Sequence, residues 1–194
     1  MNADALSDLA LVLVCGAVAL AHWRTRPALA EASAIFGLAA GLGVLRYSGI
    51  DFALGPHRFF SLLAACAAYP LLAVAIRWPN DNVAKRANAA ARFGMLMGAI
   101  GMAFHLSGFA LWRQILPVIS ALVIAAAGFA TKNPRDIFGS LLLVASLVVA
   151  VLGQAPTFAL GPFDAIQAMH YLMAAGFAIL AWPLSVARPR ESEV

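Results

Sequence analysis

Charge is what this chain has least of. Only 11% of its 194 residues are Asp, Glu, Lys or Arg, against about 25% in an average soluble domain. That leaves too little polar surface for a water-soluble globule. With 63% hydrophobic residues and a mean hydropathy of +0.87, the composition is that of an integral membrane protein. Cysteine is almost missing too. Cys15 and Cys66 both lie inside apolar runs, which excludes a disulfide framework or a CxxC metal motif and leaves two small buried hydrophobes. Strongly basic clusters are also absent. The 13 Lys and Arg against 9 Asp and Glu give a net charge of +4, but the basic residues are spread through short connectors between apolar runs, as in cytoplasmic loops. Nucleic-acid binding is excluded on that ground.

Long apolar runs, by contrast, fill the chain. A spanning helix needs about 20 mostly apolar residues, and that template fits seven times: Ala5 to Trp23, Ala28 to Tyr47, Phe59 to Trp78, Phe93 to Trp112, Ile115 to Thr131, Ile137 to Gly153, and Phe163 to Val186. The segments between them are short and turn-like, RTRP, SGIDFALGPHR, PNDNVAKR, TKNPRD and QAPTFALGP, so residues 1–194 read as one integral-membrane helical domain. The first run has no positive segment before it and no cleavage site after it, and is expected to be a mature helix, not a signal peptide.

Basic residues in alternate connectors set the expected orientation. One set holds Arg24, Arg26, Arg77, Lys85, Arg86, Lys132, Arg135, Arg188 and Arg190; the other holds Arg46, Arg58 and Arg113. The richer set belongs in the cytoplasm. An all-α bundle of about seven transmembrane helices follows, with the N-terminus outside and the C-terminus cytoplasmic, in a cell inner membrane. Trp23, Trp78, Trp112 and Trp182 near the run ends suit interfacial anchors, and Gly37 with Gly41 and Gly94 with Gly98 suit close helix packing.

On this topology the scarce polar side chains collect at one level. Asp8 falls near the outer end of the first run, Arg46 at the outer end of the second, and His57, Arg58 and Ser61 at the start of the third. His105 and Ser107 end the fourth, Arg113 starts the fifth, and Asp164, Gln167, His170 and Tyr171 occupy the outer turns of the seventh. Ionisable residues within spans cost a few kcal/mol each on insertion scales and tend to face a cavity or one another. Three chemistries suit the set. His57, His105 and His170, with Asp8 or Asp164, could hold zinc and leave a position open for water. His–Asp and Arg–Asp pairs could form a network without metal. Arg46, Arg58 and Arg113, with Gln167 and Tyr171 nearby, could bind an anionic headgroup or carboxylate. Against all three stands the plain alternative that arginines at helix ends snorkel to the interface, and that Asp164 after Gly161 and Pro162 favours a helix start.

Seven apolar runs, Asp8 in LSDLAL opening the first and DAIQAMH in the last, resemble the superfamily of alkaline ceramidases and their bacterial relatives. The resemblance implies a seven-helix fold and a zinc-dependent amide or ester hydrolase acting on lipids. The family's last helix carries an HxxxH pair, whereas here Ala174 stands four residues after His170. It also places a histidine on the second helix and an aspartate on the third, where this chain has Arg46 and no aspartate.

The leading expectation is accordingly a membrane-embedded lipid hydrolase with zinc on His57, His105 and His170 and with Asp164 or Asp8 as ligand or general base. The alternative is a non-enzymatic membrane protein that binds or senses a lipid or small anionic ligand through the arginines. A transporter comes third, since neither an inverted repeat nor a polar path through the midplane is visible.

Overall fold

The computed structural model describes residues 2–109, 111–152, 159–160 and 163–181. The described residues form an all-α fold, and six of their helices are long and apolar enough to cross a bilayer. The chain is a multi-pass membrane protein. The helices are α1 (Ala3–His22), α2 (Pro27–Tyr47), α3 (Leu54–Leu63) joined to α4 (Tyr69–Arg77), the short α5 (Asn82–Lys85), α6 (Ala87–Leu106), α7 (Trp112–Ala130), α8 (Pro134–Leu152) and α9 (Ala165–Ala181). A two-residue antiparallel hairpin, β1 (Ala159–Leu160) on β2 (Phe163–Asp164), precedes α9.

Helix ends follow local chemistry. The Asn2 side chain accepts the Ala5 N–H at 2.9 Å and caps α1. Pro27 occupies the first turn of α2, where its missing N–H costs nothing. Asp81 caps α5 by accepting from Val83 N–H, and α6 stops at Gly108, whose φ of +83° is the left-handed conformation that ends helices. Pro134 opens α8. Asp164 opens α9 by accepting the Gln167 N–H at 2.9 Å.

Two expected runs shift. The third span, Asp51–Arg77, starts eight residues before Phe59. Its first turns, LGPHRFF, carry too many polar residues to read as apolar, yet Pro56 in an opening turn is compatible with a helix. The fourth run begins earlier as well, at Ala87, and Trp112 opens α7 instead of closing α6. The seventh run is α9 over Ala165–Ala181. Gly153, Gly161, Pro162, Trp182, Val186, Arg188 and Arg190 lie outside the described residues.

Packing makes a ring. α1 packs on α2 and α9, α9 on α8, α8 on α7, α7 on α4, and α4 back on α2; α6 stands outside, against α2, the third span and α7. Phe36, Tyr69 and Phe177 meet edge-on in the core, with ring centroids 5.0 and 5.4 Å apart. α6 buries only Ala90, Gly94, Gly98 and Gly101. This small-residue stripe lets Leu63, Cys66 and Leu71 of the third span sit against its backbone.

The third span is irregular in the middle. Ala64–Ala68 is a π turn, in which the Tyr69 N–H reaches back five residues to the Ala64 carbonyl. Pro70 explains it: an α-helical proline has no N–H for the carbonyl four residues back and collides with it. Widening the preceding turn relieves the clash. Pro117 inside α7 likewise leaves the Arg113 carbonyl without its helical donor. Both irregularities lie beside the interior cavity described next.

Candidate functional site

At the end of the bundle where α1 begins, polar residues form two neighbouring groups. The first joins α1 to α9. Ser7, Asp8 and His170 are all buried. His170 Nδ1 lies 3.2 Å from Ser7 Oγ and 3.3 Å from Asp8 Oδ1. The Ser7 hydroxyl donates to the Asp4 carbonyl at 2.8 Å. A serine has one proton to give, so His170 must be the donor to Ser7, and the ring carries its proton on Nδ1. Neither oxygen of Asp8 has a hydrogen bond among the described residues; its partner is the edge of the imidazole.

α2 leaves room for this carboxyl group only because residue 43 is glycine. A Cβ there would lie 2.7 Å from Asp8 Cγ, well inside van der Waals contact. Closer to the helix ends, the Gln167 amide donates to Asp4 Oδ1 at 2.8 Å and to Asp164 Oδ2 at 3.0 Å. This second tier ties α1 to the start of α9.

A cavity of about 230 Å³ opens inside the ring, lined by Asp8 and His170 and also by Phe36, Tyr69, Pro117 and Met173. Every ring helix contributes to its wall and α6 does not. His57 reaches it from α3 with its orientation fixed: Nδ1 donates to the Ala39 carbonyl at 3.0 Å, and the ring meets Tyr47 edge-on.

The second group lines a wider groove of about 870 Å³ between the third span, α6 and α7, with Arg46, Arg58, Arg113, His57, His105 and Gln114 in its wall. His57, Ser61, Ala65 and Arg113 border both spaces, so the groove adjoins the inner cavity. Arg46 stacks over the Tyr47 ring at 4.9 Å, while Arg58, His105 and Arg113 are exposed.

Placement of the expected site residues is therefore uneven. Asp8 and His170 come together, and His57 borders their cavity. Arg46, Arg58 and Arg113 share one groove. His105 lies in that groove and not in the inner cavity, and the three imidazoles do not converge. Among the described residues no group of three or more His, Cys, Asp or Glu could hold a metal ion, so a zinc site on His57, His105 and His170 has no assembled ligand set. Asp164 is exposed and serves as the cap of α9, Gln167 bridges carboxylates, and Tyr171 packs on Phe163; none of the three lines the inner cavity.

Sequence reasoning missed Ser7, Asp4 and Gly43. A serine on the helix face next to a buried aspartate was a signal for the first. The other two depend on knowing that α1 packs on both α2 and α9.

No family model matches the chain, and no curated protein or solved structure shows significant similarity to it. The functional reading rests on the geometry alone.

Proposed function

We propose that this chain is a non-enzymatic inner-membrane protein of seven spans that binds a small anionic amphiphile at its outer face. α9 makes the seventh span, with the N-terminus outside and the C-terminus in the cytoplasm. The observation that carries the reading is the adjoining pair of spaces: three arginines in one groove, opening beside a mostly apolar cavity inside the helix ring. Guanidinium groups pair with phosphate or carboxylate in forked, charge-assisted contacts. An apolar wall next to them takes the ligand's hydrophobic part, the usual division of labour in small-molecule sites.

The hydrolase reading has the Asp8–His170 pair in its favour, because an oriented imidazole beside a cavity suits a general base. It lacks a converged metal set, and no step is assigned to it. The ligand-binding reading needs none.

Dodecyl phosphate titrated into the purified protein in nanodiscs tests the proposal. Saturable binding is expected, weakened roughly tenfold by Arg58→Gln and again by Arg113→Gln, in line with charge-assisted bonds of about 1.5–3 kcal/mol. Equal affinity in wild type and the double variant would sink it.

A further inference from the structure

Where α1 meets α9 the inner cavity offers an acceptor; Ser61 and Arg113, which can donate, stand where it adjoins the groove. Ser7 spends its only proton on the Asp4 carbonyl, so His170 gives its Nδ1 proton to Ser7. The uncharged ring then keeps a bare lone pair on Nε2. Among the described residues nothing hydrogen-bonds that nitrogen, while His170 lines the cavity. His57 repeats the arrangement: its Nδ1 proton goes to the Ala39 carbonyl, and its Nε2 is likewise an acceptor. Asp8 lies beside His170 and has no hydrogen bond of its own among the described residues. Phe36, Tyr69, Met169 and Met173 are among the other residues of the wall and suit an aromatic ring or short chain. The space is several times the roughly 30 Å³ share of one water. It is smaller than the roughly 300–1,000 Å³ of a drug-sized site, so it holds part of a ligand.

We propose that this cavity is a subsite for an uncharged hydroxyl group, phenolic or alcoholic, on an amphiphilic ligand, with the hydroxyl donating to His170 Nε2. It is the deep end of the site proposed above and rests on that reading in that one ligand is taken to span both spaces. The selectivity follows from the acceptor. A site built to receive a hydroxyl proton rejects an analogue without it, because the acceptor is then left buried and unpaired.

The test uses neutral probes, 4-octylphenol and its methyl ether, which carry no charge for the arginines. Isothermal titration into full-length protein in nanodiscs should show the phenol binding at least about tenfold more tightly than the ether. That preference should vanish in a double variant, Asp8→Leu with His170→Phe, which removes the acceptor without orphaning a carboxylate. A preference that survives in the double variant, or no preference in the wild type, overturns the proposal. Should the double variant fail to fold, ¹⁵N-histidine spectra of the wild type decide: the His170 Nε2 resonance is expected to move with the phenol and stay fixed with the ether. Movement with both, or with neither, overturns it. The two readings fail separately. Loss of dodecyl phosphate binding in Arg58→Gln with the phenol preference intact supports both. Unchanged phosphate affinity with that preference intact removes the arginine reading alone.

Discussion

The two polar regions at one end of this bundle are built to opposite designs. Where α1, α2 and α9 meet, the polar atoms are buried and bonded in sequence, Asp4 to Ser7 to His170 beside Asp8, and the helices around them pack closely. α2 alone buries ten residues, whereas α6 buries four. Where the third span, α6 and α7 meet, the polar groups are exposed arginines and His105 lining an open groove. In the first region a changed side chain leaves an unpaired polar atom in an apolar interior. In the second it meets solvent or headgroups. Stability and binding should therefore separate along this line, and substitutions can test how cleanly.

The largest effect is expected at His170→Leu, which strands the Asp8 carboxyl group. Leaving a buried polar group without its partner costs about 1–3 kcal/mol, and more where the group is charged, read as a lowered unfolding midpoint in detergent. Asp8→Leu with His170→Leu should recover most of that loss. A double variant as unstable as the single one would mean that the pair does not act as a unit.

How much of this was legible in the sequence divides along the same boundary. Scarce charge and long apolar runs announced a helical membrane protein, since length and hydropathy are local properties. The level at which Asp8, His57, His105, Arg113 and His170 would gather could also be counted along each run. Which of them touch could not. Asp8 and His170 are 162 positions apart, and their contact depends on α9 closing the ring against α1. The zinc expectation treated residues at one depth as neighbours, although depth says nothing about position around a ring. Asp164 stands at that depth too, but its place just before α9 puts it to work on the Gln167 N–H.

Gly43→Val should come next. The new side chain would occupy the space of the Asp8 carboxyl group, and overpacking of this kind costs about 1–3 kcal/mol. Pairing it with Asp8→Ala should relieve the strain, and failure to do so would place the damage elsewhere on α2. Across the boundary the balance reverses. Arg58→Gln should move the unfolding midpoint by no more than the roughly 0.5 kcal/mol typical of surface changes, while lowering dodecyl phosphate affinity about tenfold. A large stability loss there would make Arg58 a structural residue and blur the division. The smallest effect belongs to His105→Ala, exposed and outside the inner cavity. It is expected to leave stability within about 0.5 kcal/mol and the phenol preference unchanged in titrations; a lost preference would join the two regions into one.

The π turn at Ala64–Ala68 has a consequence for how one span serves both designs. In a regular helix each residue advances the facing direction by about 100°, so a turn holding one residue too many swivels everything after it relative to everything before. α3, ahead of the swivel, buries none of its side chains, whereas α4, behind it, buries Tyr69, Pro70, Leu71, Leu72, Ala73 and Ala75. A single rod thus becomes two half-rods with independent aim, one carrying His57 and Arg58 toward the groove and the other locking into the ring. Deleting one alanine from that turn would put the halves back in phase, so the arginine-bearing half could keep its aim only if the packed half lost its own.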